Sequence, residues 1–368
     1  MWMFEDKREL RVRRQGAGNS TTVSRRAGVR HTMLFRLCLL VTCCLVPFAS
    51  NRVTASWLYA VREVKPNVFV WVSDDVLDQD GDPQFDRAGT AGFIITEEGL
   101  VVVNTTNGPF HGRELLYEIR HRTELPVKYV IDTNSSGEQM LGNEVFVDQE
   151  ATLLSSAKTQ AEILQYKQSL ADRLADLENW RLRNRMRGFH ITPPTETFDN
   201  KMALSLGGQE IQLVTLLKNE SGDDAAVYLP AKKVMFLGEL FQNGYFPHIE
   251  SRNINEWVGA LRQVEKWDVE VYVPGHGEPG GKKELAEFRQ FLEWFGKEVG
   301  THFQEGKSVD EVKREVTPQA TYRWHAPELV SDGVEAVYEQ NVKAHPSKAG
   351  ASQPTTGGPL EAQPPSQP

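Results

Sequence analysis

The sequence has little cysteine, and what it has lies near one end. Only three of the 368 residues are cysteines, Cys38, Cys43 and Cys44. A chain without residues 1–55 would therefore contain no disulfide, no thiolate metal ligand and no cysteine nucleophile. Its stability must come from a hydrophobic core, and 40% apolar residues with eight tryptophans are enough to build one.

Signatures of several common enzyme classes are also missing. We find no G-x-S-x-G nucleophile motif, no glycine-rich phosphate-binding loop and no C-x-x-C pair in the sequence. The usual sequence evidence for a serine hydrolase, a P-loop nucleotide-binding protein or a thiol redox protein is therefore absent.

Positive charge is scarce outside the N-terminus. Ten of the 41 Lys/Arg residues and only three of the 50 Asp/Glu residues lie within residues 1–55. The net charge of -9 therefore divides into a basic N-terminal segment and a remainder with a net charge of about -16. A surface that acidic repels phosphate backbones, so we do not expect a nucleic-acid partner.

The basic N-terminal segment contains an apolar run that is typical of an export signal. The run MLFRLCLLVTCCLVPFAS begins at Met33, and its apolar core of about a dozen residues is shorter than a typical membrane span. The small residues of Val53–Ala55, before Ser56, fit a cleavage site, which predicts a periplasmic or secreted protein. A buried N-terminal helix and a retained membrane anchor are the alternatives.

We expect three regions along the chain: an N-terminal extension with the export signal over 1–55, one domain over 56–345, and a tail over 346–368. The tail is rich in Pro, Gly, Ser and Gln and lacks an apolar pattern, which predicts disorder. Translation starts at either Met1 or Met33. The stretch SRRAGVR from Ser24 is a loose twin-arginine match, so both Sec and twin-arginine export stay open.

The domain sequence contains the same pattern twice. In each half, runs of β-branched and aromatic residues that predict strands are followed by apolar residues three or four apart, which predict helices. Two such halves predict two sheets packed face to face with helices on both outer faces, a four-layer αββα sandwich of the α/β class built as a single domain. The predicted strands lie at 68–72, 91–95, 100–103, 127–131, near 145–147, and at 202–206, 211–216, 226–229, 234–237 and 269–273. The predicted helices lie at 112–122, about 156–187, 254–266 and over much of 282–345.

The stretch DTNSSGEQMLGN, residues 132–143, directly follows the predicted strand 127–131. Open α/β sheets usually place their functional sites at such C-terminal strand ends. In shape and position the stretch resembles the first signature of the metallo-β-lactamase superfamily, T-H-x-H-x-D-H-x-x-G-N. Thr133, Gly142 and Asn143 agree with that signature. The metal-binding positions differ and are held by Asn134, Ser136, Glu138 and Gln139.

Three further signatures of the same superfamily follow in order, so the resemblance covers roughly residues 64–295. The second, G-H-T-x-G-D, lies over Lys218–Asp223 and has Asn219 in place of its histidine. The third, a strand that ends in G-D, has Glu239 for the aspartate, and the fourth, P-G-H-G, is intact around His276. The resemblance implies the αββα fold as well.

The resemblance also implies what the metal positions can hold. The superfamily's first metal takes three histidines, which are replaced here by two asparagines and a serine. Amides and hydroxyls are poor zinc ligands beside imidazole, so we expect no metal there. At the position of the superfamily's second metal, the chain has the carboxylates of Glu138 and Glu239, the imidazole of His276 and the amide of Gln139. That position is either a cleft without metal or a site for one divalent cation, zinc, manganese or iron.

The stretch FQNGYFPH, residues 241–248, follows the third signature, and the resemblance places it at the border of the cleft. Its aromatic side chains form either a binding floor or a cover for the core. The predicted cleft residues are Asn134, Ser136, Gln139, Asn219, Phe241, Tyr245 and His248. Six other histidines show no ligand spacing and are expected at the surface: His111, His121, His190, His302, His325 and His345.

Three functional hypotheses follow from the replaced ligands. The first is an exported, non-catalytic protein with a metal-free cleft that binds a small molecule or a protein, or forms a dimer with itself or with a related active fold. The second is a single-metal hydrolase of an ester, lactone or phosphoester that uses Glu138, Glu239 and His276. The third is a metal-free enzyme with a glutamate as general base. Residues 133–137 are either a degenerate metal loop or an ordinary polar turn.

Overall fold

The structure is a computed structural model, and it describes residues 59–73, 88–175, 189–219, 222–250, 252–317 and 325–346. The predicted export signal, its cleavage site, the twin-arginine match and the tail from residue 347 lie outside the described residues. Within the described ranges, no helix is both long enough and apolar enough to cross a membrane.

The first half of the domain forms a seven-stranded sheet. Its strands, in sheet order, are Tyr59–Lys65 (β1), Val68–Ser73 (β2), Ala91–Ile95 (β3), Leu100–Val103 (β4), Val127–Ile131 (β5), Thr152–Ser156 (β6) and Glu196–Phe198 (β7). Neighbours from β1 to β4 are antiparallel, and neighbours from β4 to β7 are parallel. Parallel neighbours need crossover connections, and helices supply them here.

The second half forms a five-stranded sheet. Its strands are Lys201–Leu206 (β8), Gln209–Asn219 (β9), Gly222–Leu229 (β10), Val234–Gln242 (β11) and Val271–His276 (β12). Their order in the sheet is β12-β11-β10-β9-β8, and β11 and β12 are its parallel pair. Every residue of β11 is buried, as expected for a strand covered on both faces.

The helices lie outside the two sheets. Those of the described residues are Pro109–Arg120 (α1), Gly137–Met140 (α2), Asn143–Val147 (α3), Ala157–Ala175 (α4), Ile254–Val264 (α5), Lys282–Gln304 (α6), Val309–Glu315 (α7) and Val330–Ala344 (α8). Short 3₁₀ turns occupy Pro230–Lys232 and Pro327–Leu329. Helix α5 begins where the sequence predicts, because the Asn253 side chain accepts hydrogen bonds from the first backbone N–H groups of the helix.

Three apolar clusters mark the layers of the domain. The middle cluster lies between the sheets and joins Val103 of β4 to Phe236 of β11. A second cluster packs α1, through Ile119, on the outer face of the first sheet. A third packs Trp257 of α5 and Phe291 of α6 on the outer face of the second sheet. The layers therefore run helix, sheet, sheet, helix, and they confirm the predicted αββα sandwich.

One predicted strand is wrong. Residues 145–147 belong to helix α3, in which Val145 and Phe146 are buried and Val147 is exposed. Three consecutive apolar residues are too few to show whether the period is two or 3.6. Helix α1 also begins at Pro109, earlier than predicted, because proline is favoured in the first helical turn.

Candidate functional site

The candidate site forms where strands β5, β11 and β12 reach the same end of the sandwich. Strand β5 leads into helix α2, which carries Glu138 and Gln139. Strand β11 carries Glu239 and Gln242, and β12 ends at His276. All five side chains are buried. The structure therefore brings together residues that are up to 138 positions apart in the sequence.

Glu138, Glu239 and His276 form a compact cluster of ionisable groups. His276 Nε2 lies 2.9 Å from Glu138 Oε2 and 3.5 Å from Glu239 Oε1. One candidate ligand atom from each residue lies within 4.8 Å of the other two. Two carboxylates and an imidazole at these distances are a donor set that one divalent cation accepts.

Gln139 presents its amide nitrogen, not its oxygen, to this cluster. Its Nε2 donates to Glu239 Oε1 at 2.7 Å and to the Gly275 carbonyl at 3.1 Å. Its Oε1 accepts from Asn104 Nδ2 at 2.8 Å. Turning the amide over would place its oxygen against two acceptors, so the hydrogen-bond network fixes this orientation. The amide of Gln139 is thus a donor to Glu239 and is turned away from metal binding.

Gln242 completes the hydrogen bonds of Glu239. Its Nε2 donates to Glu239 Oε2 at 2.7 Å, so each carboxylate oxygen of Glu239 accepts from a glutamine amide. The other end of the Gln242 amide, Oε1, is buried and has no hydrogen-bond partner among the described residues. Buried polar atoms of this kind are uncommon and need an explanation.

Two glycines allow the backbone to come this close. Gly238 has a φ of 51°, and a Cβ atom there would lie 2.3 Å from Thr133 Oγ1. At Gly275 a Cβ atom would lie 2.6 Å from Glu239 Oε1. A larger residue at either position would therefore push the strand ends away from the cluster.

Asn134 and Ser136, two residues of the predicted first metal position, are hydrogen-bonded to each other. Asn134 Oδ1 accepts from the backbone N–H of Ser136 at 2.9 Å, so the asparagine closes a turn on its own backbone. Asn219 is the last residue of β9 and pairs with Gly222 across the connection to β10. Amide and hydroxyl oxygens at this position do not fit zinc.

A small pocket that opens to solvent lies against the cluster, with space for about one water molecule. It is lined by Glu138, Gln242, Tyr245, Phe246, His248, His276 and Leu329, and we call it the Glu138 pocket. The Tyr245 ring lies 5.4 Å from the His276 ring and 4.7 Å from the His325 ring, measured between centroids. Tyr245 and His248 therefore line this pocket, beside His276.

Phe241 lies elsewhere. Its side chain is fully buried in the core of the second sheet and meets Phe288 edge to face, at 5.8 Å between ring centroids. Side chains alternate between the faces of a strand, so Phe241 and Gln242 point to opposite sides of β11. The phenylalanine covers the core, while the glutamine faces the cluster.

Two of the histidines expected at the surface occupy defined environments. His111 is buried and its Nδ1 is hydrogen-bonded to Asn107, so the surface expectation is wrong for this residue. His325 is exposed but stacks on Tyr245 beside the Glu138 pocket. The helical spacing of His111 with Leu115 and Ile119 places it on the buried face of α1, whereas no local pattern marks His325.

No motif in the sequence predicts the groups that hold the pocket wall. The Arg252 guanidinium makes two hydrogen bonds of 2.9 Å to the Asp224 carboxylate and donates to the His248 carbonyl at 3.1 Å. Leu329, near the C-terminal end of the described residues, also lines the pocket. These contacts depend on tertiary packing, and no local motif marks them.

The carboxylates raise the pKa values of both histidines at the pocket. Burial alone would lower the pKa of His276, but Glu138 and then Glu239 outweigh it and raise that pKa. Burial likewise opposes the charged form of His248. The neighbouring Glu250, Glu138 and Glu239 nevertheless raise the pKa of His248 to about 9. Both imidazoles are therefore biased toward their protonated forms.

Comparisons with known proteins agree with the fold. Residues 85–276, just over half of the chain, match the sequence model of the metallo-beta-lactamase superfamily. A linear primary-alkylsulfatase from Pseudomonas sp. is 25% identical over 225 residues, which are 53% of this chain and 42% of that protein. A metallo-beta-lactamase type 2 from Elizabethkingia meningoseptica is 22% identical over 222 residues, 59% of this chain and 78% of that protein. The chain thus spans less than half the length of the alkylsulfatase.

Two solved structures have a similar fold. A metallo-beta-lactamase from Pontibacter korlensis superposes with a TM-score of 0.50 at 20% identity, over 64% of this chain and 99% of that one. A stereoselective inverting sec-alkylsulfatase from Pseudomonas sp. superposes with a TM-score of 0.58 at 18% identity, over 77% of this chain and 50% of that one. At these identities the likeness concerns the fold alone.

Proposed function

Because the chain belongs to the metallo-β-lactamase superfamily, we propose that it is an exported, non-catalytic member whose metal cleft has become a metal-free binding site. The proposal rests on the identity and bonding of the residues at the ligand positions. Superfamily membership supplies the fold and the position of the cleft. It does not by itself supply activity, because function depends on the residues of the site.

The main support for the proposal is the bonding of Glu239. Both of its carboxylate oxygens accept hydrogen bonds of 2.7 Å from glutamine amides, and Glu138 is paired with His276 at 2.9 Å. A carboxylate that is buried needs either a cation or several N–H donors. Here amide donors supply what a metal ion supplies in a metalloenzyme, so the site is stable without one.

The metal content of the purified protein tests this proposal. We expect far less than one equivalent of transition metal per chain by elemental analysis, both as purified and after incubation with zinc or manganese followed by desalting. A suitable comparison is the variant Gln139→His, which replaces a donor with a potential ligand. A stoichiometric metal ion in the unmodified chain would contradict the proposal.

A single-metal hydrolase is the second candidate, and one observation favours it. Glu138, Glu239 and His276 offer ligand atoms within 4.8 Å of one another, and Gln242 Oε1 nearby has no partner in the described part of the chain. These four residues would hold one divalent cation. The cation would supply Lewis-acid activation of an ester, lactone or phosphoester. The hydrolases among the relatives are in keeping with this class of reaction.

Metal-dependent stabilisation separates the two candidates. The second candidate predicts a rise in thermal midpoint with manganese or zinc that His276→Ala abolishes, together with metal-dependent turnover in a panel of esters, lactones and phosphoesters. The matched control is His345→Ala, which removes an exposed histidine of the C-terminal region. If metal neither raises the thermal midpoint nor supports turnover, the single-metal hydrolase is excluded and the non-catalytic proposal is the one supported.

Export is part of the proposal and is tested separately. The apolar run from Met33 and the small residues before Ser56 support it. Expression of the full chain in a bacterial host, followed by fractionation and N-terminal sequencing, should yield a mature protein that begins near Ser56 outside the cytoplasm. An unprocessed chain that stays in the cytoplasm would contradict export without bearing on the cleft.

A further inference from the structure

Exposed apolar side chains gather on one surface of the domain. Among the residues that the structure describes, four large apolar side chains are exposed, and two of them lie on α1: Phe110 at 49% and Tyr117 at 55%. A third, Val147, lies on α3, which packs against α1 at Gly112. Apolar side chains that gather on one face of a folded domain are typical of a protein–protein interaction site.

Four residues of α1 form a stripe along the solvent-facing side of the helix, which we call the α1 stripe: Phe110, Arg113, Glu114 and Tyr117. Their spacing of i, i+3, i+4 and i+7 places them on one helical face. The opposite face, with Leu115 and Ile119, packs on the first sheet. The stripe therefore has an aromatic residue at each end and two opposite charges in the middle.

The two charges of the α1 stripe are not paired within their own chain. Arg113 and Glu114 make no hydrogen bond or ion pair in the part of the chain that the structure describes. Residues one position apart on a helix do not face each other, so Arg113 does not compensate Glu114. The next charges along the helix differ, because Arg122 Nη1 lies 2.8 Å from Glu118 Oε2. Only the charges of the stripe are thus left to pair with another molecule.

The order of residues in the α1 stripe is complementary to itself. We consider two copies of α1 that lie antiparallel about a twofold axis between residues 113 and 114. Phe110 of each copy then meets Tyr117 of the other, and Arg113 of each copy meets Glu114 of the other. A parallel pair in register would instead place the two arginines together and the two glutamates together, which is repulsive. The stripe therefore fits a second copy in one direction.

We propose that the α1 stripe is a homodimer interface, in which the α1 helices of two copies of this chain pack antiparallel. The aromatic rings at both ends lose their exposure to water, and the two charge pairs fix the direction and register of the helices. A helix of 12 residues from each copy makes a small contact, so we expect a dissociation constant in the micromolar range. This inference goes beyond the proposed function and does not depend on the metal content of the cleft.

Sedimentation velocity of the purified protein, at concentrations from about 1 to 100 µM, tests the inference. We expect a reversible equilibrium between monomer and dimer. Tyr117→Glu places a charge in the contact and should raise the dissociation constant by about thirtyfold or more, as expected for loss of an interface hot spot. Leu164→Glu is the matched control, because Leu164 of α4 is an apolar residue of similar exposure outside the stripe, and this variant should dimerise as the unmodified chain does.

Charge reversal tests the antiparallel arrangement. Arg113→Glu alone, or Glu114→Arg alone, sets like charges against each other in both halves of the contact and should weaken dimerisation by about tenfold or more. The two substitutions combined should restore the dimer, because opposite charges then meet again across the axis. Thermal unfolding of each variant shows that it is folded.

Three results would overturn the inference. The first is a protein that stays monomeric over the whole concentration range; if Tyr117→Glu then lowers its thermal midpoint, another segment of the same chain covers the stripe. The second is a dimer that Tyr117→Glu leaves intact, which would use a different surface. The third is a double charge reversal that fails to restore the dimer. None of these results bears on bound metal, so the proposed function stands or fails separately.

Discussion

At the scale of single residues, the site depends on which end of a glutamine amide faces a carboxylate. Glu239 is almost fully buried, and its charge is compensated by N–H groups of Gln139 and Gln242 and by the nearby His276. The Gln139 amide is held in turn by Asn104, so its donor end cannot leave the carboxylate. Removing one donor leaves a buried charge with an unfilled hydrogen bond.

We therefore predict that Gln139→Ala destabilises the protein. The variant removes the amide donor of Glu239 Oε1 and the acceptor of Asn104 Nδ2, and an unsatisfied buried group costs about 1–3 kcal/mol, more when it is charged. Gln160→Ala is the control, because Gln160 is half-buried and donates a hydrogen bond to the Pro194 carbonyl. Urea unfolding measures both variants. Equal losses of stability would show that the donor to Glu239 has no special role.

A second residue-scale prediction concerns Asp132, which follows β5. Burial raises the pKa of Asp132 to about 8, although a hydrogen bond from Asn143 works in the opposite direction. The folded state thus retains a proton that the unfolded state loses near pH 4. Below about pH 4, Asp132 contributes its full share to the free energy of unfolding. As the pH rises from about 4 through about 8, that contribution falls by up to about 1.4 kcal/mol per pH unit and is lost.

Asp132→Asn should remove this part of the pH dependence. The amide keeps an oxygen for the hydrogen bond from Asn143 Nδ2 and carries no charge. We expect the stability advantage of the variant over the unmodified chain to be larger at pH 8.5 than at pH 5, measured by urea unfolding across the range. Asp148→Asn, at an exposed position, controls for loss of a carboxylate. A variant that keeps the full slope would exclude Asp132 as its source.

At the scale of elements, a buried ion pair fixes the segment between β11 and α5. Arg252 pairs with Asp224 of β10, lies 5.0 Å from the Trp257 ring and donates to the His248 carbonyl at 3.1 Å. Its own carbonyl accepts from Gln340 Nε2 at 2.8 Å. The ion pair therefore sets the backbone position of a residue that lines the Glu138 pocket.

Arg252→Met should destabilise the protein by about 3–5 kcal/mol, because it leaves the buried Asp224 carboxylate uncompensated. Adding Asp224→Leu should restore part of that loss, since no unpaired charge then remains buried. A double-mutant cycle by chemical denaturation gives the coupling between the two residues. Strictly additive losses would mean that the pair does not act as a unit.

The elements also show how far the sequence could predict the structure. Strand β5 occupies the predicted residues 127–131, because its β-branched run is bounded by Pro126 and by polar residues. Helix α3 was predicted as a strand, because three apolar residues carry no period. The meeting of Glu138, Glu239 and His276 could be predicted from the resemblance to the superfamily's metal-binding signatures. The orientation of the Gln139 amide could not, since it depends on Asn104, which lies 35 residues earlier.

At the scale of the whole domain, the C-terminal segment, residues 325–346, completes the site. The residues that match the superfamily end at 276, whereas helix α8 lies beyond them. The backbone N–H of Phe246 donates to the His325 carbonyl at 2.9 Å, and that of His325 donates to the Gly244 carbonyl at 2.9 Å. Leu329 lines the pocket, and Gly333 of α8 packs against Phe246. The segment thus holds the pocket loop in place and covers the core of the second sheet.

Deletion of residues 318–368 should therefore unfold the domain at a lower temperature, whereas deletion of residues 347–368 should leave the midpoint unchanged. Val334, Val337 and Tyr338 of α8 are buried, and full burial of a valine side chain contributes about 1.5–3 kcal/mol. The longer deletion would expose their partners Phe246 and Phe303, so it should also bind a hydrophobic dye. Calorimetry and dye fluorescence measure the two effects on matched preparations. Equal midpoints for the two deletions would show that α8 only lies on the domain, and the pocket wall formed by Leu329 would then be dispensable for the fold.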